Sequence, residues 1–259
     1  ACGGAANSYS RAMNFYEKIA PNLLASPKSE LLTTTAGRVY TRGDIDRLIG
    51  QMANFMTALG VKPGDRVSVQ VHKSVANLCL YLACLRAGFV FHPLNPAYQE
   101  SELSYFIGNA KPALIVCDPQ NLNVMRGLAN AHNIAHVFTL DGAGDGTIAA
   151  EAAGQDATFE TAPRKGDDLA ALLYSSGTTG TPKGIMLTHD NLRINAECLV
   201  KAWGFSAADR LLHCLPIFHV HGLFVAAGCI LLSGGTMRWA DKFSPDMAKT
   251  FLPECTVMM

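Results

Sequence analysis

The sequence predicts an α/β protein with mainly parallel sheets, built as one large domain or two subdomains. Three observations carry that prediction. Short β-type apolar runs alternate with amphipathic helical patterns from Thr41 to Phe138. Hydrophobic residues make up 49% of the chain and charged ones only 16%, below the roughly 25% of an average soluble protein, so a large core can form. The 259 residues lie near or above the usual size of one core, which allows one large domain or two subdomains.

Thr41 opens the first helical pattern, with Asp44 near its start. Ile45, Leu48, Ile49, Met52, Phe55, Met56 and Leu59 follow at spacings of three and four until Gly60 stops it. Met52 and Met56, four apart, read as core packing. Asp65 to Val71 alternates around Val67, Val69 and Val71 as a strand does, and Ser74 then caps a second helix through Val75, Leu78, Leu82 and Leu85 to Gly88. Phe89 to His92, Ala113 to Cys117 and His136 to Phe138 are further β-type runs, with a helical pattern from Ser101 to Ile107 between the first two.

From Asp141 to Asp168 the chain is rich in Gly, Ala, Asp and Thr and loses its periodicity, which suggests a connection between subdomains. A first α/β subdomain with its connecting segment is therefore expected over 1–165, and an incomplete second one over 166–259. The second begins with the apolar strand Leu169 to Tyr174, a Gly/Ser/Thr loop from Ser175 to Gly184, a β-type run Ile185 to Leu187 and a helix from Asp190. A strand from Arg210 to Leu215, a helix from about Gly222 to Leu232 and a helix opening at Ser244-Pro245-Asp246 complete it, with Pro at the first helical position. The last residues, Cys255 to Met259, form an apolar β-type run, a poor natural terminus for a core strand, so a fragment of a longer protein is expected.

The composition also excludes functions. Lys+Arg and Asp+Glu both number 21, which gives no electrostatic reason to expect nucleic acid or an anionic membrane. The longest apolar runs, Val75 to Leu85 and Leu223 to Leu232, are about half the ~20 residues a membrane span needs. Ala1 to Ser10 has no basic segment followed by an apolar core, so no secretory signal is visible. Eight cysteines without a Cys-x-x-Cys pair, several in apolar stretches (Cys79, Cys84, Cys117, Cys229), read as reduced core thiols. The expected compartment is reducing, cytoplasmic ahead of the mitochondrial matrix. Asp167-Asp168 makes a poor metal pair, because adjacent residues before a strand point to opposite faces. Lys62, Lys73 and Lys111 are scattered and carry no assignment, and oligomeric state has no signature.

The strongest local signal is Tyr174-Ser175-Ser176-Gly177-Thr178-Thr179-Gly180-Thr181-Pro182-Lys183-Gly184, placed directly after an apolar strand. Serine and threonine hydroxyls, two internal glycines and one lysine suit a loop that wraps a polyphosphate, with Lys183 as a point charge. The competing reading is a flexible Ser/Gly/Thr linker. Against it stand the flanking apolar runs and the Pro-Lys-Gly ending. The loop departs from the nucleoside triphosphatase pattern Gly-x-x-x-x-Gly-Lys-Ser/Thr, because Pro182 precedes the lysine and Gly184 follows it, leaving no hydroxyl where that motif holds magnesium.

The run from Tyr174 to Gly184 resembles the phosphate-binding signature of the adenylate-forming superfamily of acyl-CoA synthetases, luciferases and peptide-synthetase adenylation domains. Further similar stretches are Thr41 to Leu48, Val61 to Val67, Arg86-Ala87-Gly88 through Pro93-Leu94-Asn95-Pro96, Thr188 to Leu192, and Leu215-Pro216-Ile217-Phe218-His219-Val220-His221-Gly222-Leu223. The His-x-His-Gly form is most similar to the malonyl-CoA synthetases and their dicarboxylate relatives.

The resemblance implies the N-terminal part of that family's fold, stacked α/β subdomains with mainly parallel sheets and without the C-terminal domain. It also implies two half-reactions, adenylation of a carboxylate by ATP and transfer of the acyl group to the thiol of coenzyme A, with ATP, Mg2+ and coenzyme A as cofactors and a small carboxylic acid as substrate. It assigns Ser175, Ser176, Thr178, Thr179 and Lys183 to the triphosphate, with Gly177 and Gly180 allowing close backbone approach. It gives His219 the wall of the acyl pocket near the adenylate. His221 is a second candidate there, and Arg238 or Lys242 could meet a second carboxylate. Without the resemblance, the two histidines read equally as one packed and one on the surface; no third ligand at a recognisable spacing supports zinc.

The family's later motifs, which supply an adenine-contacting Tyr, a magnesium-binding Glu, a ribose-binding Asp and a C-terminal Lys, have no counterpart in the sequence. The 259 residues alone are therefore expected to be inactive. The function expected of the parent protein is an AMP-forming carboxylate–CoA ligase for malonate or a related small dicarboxylate. The alternatives are an adenylation domain loading a carrier protein, a medium- or short-chain fatty acid–CoA ligase, and a non-catalytic nucleotide-binding module.

Overall fold

A computed structural model describes residues 13–175 and 182–259. In chain order it contains α1 (Tyr16–Leu24), β1 (Glu30–Thr34), β2 (Val39–Thr41), α2 (Arg42–Ala58), β3 (Arg66–Gln70), α3 (Val75–Ala87), β4 (Val90–Pro93), α4 (Glu100–Ala110), β5 (Leu114–Cys117), α5 (Leu122–Ala131), β6 (His136–Thr139) and α6 (Thr147–Ala153). There follow β7 (Leu169–Tyr174), β8 (Gly184–Thr188), α7 (His189–Trp203), β9 (Arg210–His213), a wide-turn helix His221–Ala227 continuing into α8 (Gly228–Ser233), β10 (Thr236–Trp239), α9 (Pro245–Phe251) and β11 (Val257–Met258).

The helix starts follow from local chemistry. The Thr41 hydroxyl accepts from the Asp44 N–H while the Asp44 carboxylate accepts from the Thr41 N–H, and Thr188 with Asn191 repeats the arrangement at α7. Ser74 and Ser244 cap α3 and α9 through the N–H groups of Asn77 and Met247. Gly88, at φ 73°, ends α3 in the left-handed conformation.

Six strands form one sheet in the order β6-β5-β3-β4-β7-β8, parallel except for β8 against β7. The second sheet has the order β11-β9-β10-β1-β2, parallel except for β2 against β1. Parallel neighbours need long crossovers, which α3, α4 and α5 supply in the larger sheet. Strand alternation divides β5 between two cores: Leu114 and Val116 join the main cluster, Ile115 and Cys117 a smaller one under α4 and α5. The main cluster draws on both sheets and on α1, α2, α3 and α8. In α3 only Ala76 and Arg86 escape burial, as expected of a helix enclosed on every side.

The expected division at 165/166 does not separate the sheets. β7 and β8, from the second segment, extend the larger sheet beside β4, whereas β1 and β2, from the first, complete the smaller one beside β10. Partners so far apart in the chain leave no local pattern, and α1, β1, β2, α5, α6 and β10 were likewise not anticipated. The stretch from Asp141 to Asp168 holds α6, whose two buried residues, Ile148 and Ala152, are too few to show a period. The four cysteines expected in the core are buried, and burial pushes the Cys79 and Cys117 thiols up to about 12. No helix among the described residues is long and apolar enough to cross a membrane.

Candidate active site

A cavity of about 260 Å³ opens where the carboxyl ends of β4 and β7 meet the segment that follows β9. Ligands of open α/β sheets bind at this end of the strands. One wall is Pro93, Leu94, Asn95 and Tyr98, a second is Leu173 and Tyr174 with Ile185 of β8, and a third is Phe218, His219 and Val220. The Tyr174 ring lies 4.6 Å from Phe106 and 5.4 Å from His92, between centroids. The first wall is held from beneath by buried Gln70, at the end of β3. Its amide donates to the carbonyls of Asn95 (3.2 Å) and Tyr98 (3.2 Å), while its oxygen accepts from Asn121 at 3.0 Å.

The Ser/Gly/Thr loop is anchored on the second wall. β7 and β8 pair antiparallel up to Tyr174 opposite Gly184, and the Ser175 N–H donates to the Lys183 carbonyl at 3.1 Å. This brings Ser175 and the exposed Lys183 to opposite sides of the loop base. Ser176, Gly177, Thr178, Thr179 and Gly180 lie outside the described residues. The Tyr105 hydroxyl donates to the Pro182 carbonyl at 2.9 Å, and that of Tyr174 to Asn109. A strand rather than a helix follows the loop, in keeping with its departure from the nucleoside triphosphatase pattern.

His219 lines the cavity with its ring 4.3 Å from that of Phe218. Its carbonyl accepts from the Leu223 N–H at 3.1 Å, so His219 to Leu223 form one closed turn. His221 begins the wide-turn helix and is exposed, outside the cavity lining. Wide turns of this type often mark functional positions. Gly222 is required by close approach, because a Cβ there would lie 2.1 Å from the Pro216 carbonyl oxygen.

Arg238 is not brought to this cavity. It sits on β10 opposite Thr33 and Leu212, pairs with Glu254, donates to the Thr34 carbonyl and lies over the Phe251 ring. Lys242 is exposed beyond the same strand.

The structure also reveals two residues, Lys73 and His213, that sequence reasoning did not single out. Lys73, between β3 and α3, is buried. Its ammonium donates to His213 Nδ1 (2.8 Å), the His213 carbonyl (2.9 Å) and the Ala240 carbonyl (2.7 Å), and lies 4.2 Å over the Trp239 ring. His213 Nε2 donates to the Gly222 carbonyl at 2.8 Å, which leaves Nδ1 free to accept from Lys73. Burial, with the neighbouring ammonium, holds the His213 ring neutral, its pKa pulled down to about 3. Burial also lowers Lys73 to about 7, countered in part by the neighbouring Cys214 and Asp241 side chains. The one available signal was a lysine between an apolar strand and the Ser74 cap of a largely apolar helix.

The AMP-binding enzyme family model matches residues 22–258. A probable CoA ligase, CCL9, of Humulus lupulus is 30% identical over 218 residues, 82% of this chain and 41% of its own. A malonate–CoA ligase of Arabidopsis thaliana is 31% identical over 197 residues, 75% of this chain and 32% of its own. Apo MatB from Rhodopseudomonas palustris superimposes with a TM-score of 0.92 at 41% identity, covering 96% of this chain and 49% of that one. The same protein with ATP bound gives 0.89. The chain thus spans about a third to a half of the length of these relatives. With a family match over nearly the whole sequence and the α/β architecture of the N-terminal domain of adenylate-forming enzymes, the chain belongs to the AMP-binding enzyme family.

Proposed function

We propose that the chain is the N-terminal portion of an AMP-forming carboxylate–CoA ligase that acts on malonate or a related small dicarboxylate. One observation carries the reading: the strands that anchor the Ser175–Lys183 loop line the same cavity as His219. A triphosphate held by that loop and an acid held by that wall would meet at the carboxyl ends of β4 and β7. The names of the relatives, CoA ligases among them one for malonate, support the substrate class.

In this reading a carboxylate oxygen attacks the α-phosphorus of ATP, the bond to the bridging oxygen breaks, and pyrophosphate leaves. The thiol of coenzyme A, losing its proton, then attacks the acyl carbon and displaces AMP. The first step needs the departing negative charge held in place, the role of Lys183 with Ser175, Ser176, Thr178 and Thr179, while Gly177 and Gly180 let the backbone approach. His219 orients the acid from the cavity wall. His221, a short step along the same turn, is the candidate for the second carboxylate; Arg238, paired with Glu254, is not used. Mg2+ is expected to accompany ATP; among the described residues no group of three His, Cys, Asp or Glu is placed to hold it. The site is completed by residues outside these 259, which are expected not to turn over by themselves, and the expected compartment is the cytosol.

The test is acid-dependent exchange of labelled pyrophosphate into ATP by the full-length protein, with malonate, methylmalonate, acetate, octanoate or no acid. Exchange with malonate or methylmalonate alone supports the reading. Exchange with octanoate or acetate instead overturns the dicarboxylate assignment, and a folded protein that binds ATP without exchanging overturns the ligase. Acyl transfer to a carrier protein but not to coenzyme A would overturn the choice of acceptor.

A further inference from the structure

We infer that Lys73 is a positioning residue that, acting through His213 and the Gly222 carbonyl, sets the place of the His219 wall and so the affinity for the acid. The inference rests on the reading that the cavity takes the acid. Its physical basis is a continuous chain of hydrogen bonds from one sheet to the other. All three ammonium protons of Lys73 go to groups at the ends of β9 and β10, and none to its own sheet. His213 carries the connection onward to Gly222 through its imidazole ring, with a hydrogen bond of 2.8 Å at each nitrogen.

The Gly222 carbonyl is a point at which the turn can be held. The position has no side chain to pack with, and the Pro216 carbonyl excludes one. The turn from His219 to Leu223 is closed by its own hydrogen bond, so a shift of Gly222 carries His219 with it. The opposite wall is pinned from the same stretch of chain, because Gln70, at the end of β3, holds Asn95 and Tyr98. Gln70 and Lys73 therefore hold two facing walls of one cavity, and the second does so across the junction between the sheets. Neither Lys73 nor His213 lines the cavity, so each acts through the residues it holds.

Two kinds of variant test this in the full-length protein. Lys73→Met keeps the aliphatic stem and removes the three donors. The acid KM measured by pyrophosphate exchange is expected to rise about tenfold while the ATP KM stays within about twofold. An unchanged acid KM, or an equal rise in both constants, in a variant that melts like the parent protein would overturn the inference. His213→Gln and His213→Asn separate the links, since the amide nitrogen of Gln can replace Nε2 and donate to Gly222, whereas Asn can replace only Nδ1. The acid KM of His213→Gln is expected to be about fivefold lower than that of His213→Asn; equal values would overturn the inference, and this pair decides it if Lys73→Met does not fold.

A readout independent of turnover is the nitrogen NMR spectrum of 15N-histidine-labelled protein. His213 is expected as the Nε2–H tautomer, with an Nδ1 resonance that moves in Lys73→Met. An Nδ1–H tautomer would overturn the connection to Gly222. If the parent protein shows no acid-dependent exchange while this tautomer is found, it is the proposed function that fails and not the hydrogen-bonded connection.

Discussion

His213 and His219 belong to one short segment and have opposite fates. His213 is fully buried, both ring nitrogens engaged, its ring 4.7 Å from that of Trp239. His219 is exposed and faces a cavity. The contrast teaches that two imidazoles a few positions apart meet opposite surroundings: in the proposed reading the buried one holds the backbone and the exposed one faces the acid. Neutrality suits the first role, since a protonated ring could not accept from an ammonium.

The largest expected effect tests the buried side of this contrast through pH. Burial draws His213 and His92 down to about 3 and His189 to about 4. In the unfolded chain such groups bind protons near pH 6.5. The folded protein therefore has this stability in full above about pH 6.5 and loses it as the pH falls toward the folded values, by about 2 kcal/mol per imidazole between pH 7 and 5. Urea unfolding at those two pH values measures it, and a flat profile would mean that these rings are not held neutral by burial.

Next in size is Gly222→Ala, which drives a Cβ against the Pro216 carbonyl and is expected to cost about 3 kcal/mol in urea unfolding. A neutral result would mean that the turn tolerates displacement, weakening the idea that His213 holds it in place. Lys183→Met is expected to lower kcat/KM for ATP about 100-fold in the full-length protein by removing a charge from the triphosphate. Unchanged turnover would remove the loop from the proposed site. The smallest effect is that of His219→Ala, an acid KM about tenfold higher with the ATP KM unchanged. Equal changes in both would erase the distinction between the imidazole that holds and the one that faces the acid.

Much of the local structure was legible beforehand because its causes are local. Thr41 with Asp44, Ser74 and Ser244 mark helix starts in the sequence, and each cap is made within three residues; the sequence places the start of α7 at Asp190, two residues past its Thr188 cap. The β7 strand was read to its exact ends, since an apolar run between a polar connection and a Ser/Gly/Thr loop has one reading. The candidate loop and His219 were likewise visible, as a motif and a position within a motif. Arg238 was visible as a charge near that motif, but its partner Glu254 lies in a later element, and no pattern around either residue predicts the pair.

Lys73, which carries no assignment from the sequence, shows the other side. Nothing near it in the chain accepts its protons; the acceptors come from His213 and Ala240, and only the parallel pairing of β9 with β10 sets these ends side by side. The same holds for the sheets, which draw β1 and β2 into the company of β10, and β7 into that of β4. Periodicity, caps and a loop motif are written in neighbouring residues, because they arise from backbone geometry and solvent exposure within a few positions. Strand order, the burial of a lone cation and the meeting of two walls around a cavity depend on contacts between distant segments, and those form only when the whole core closes.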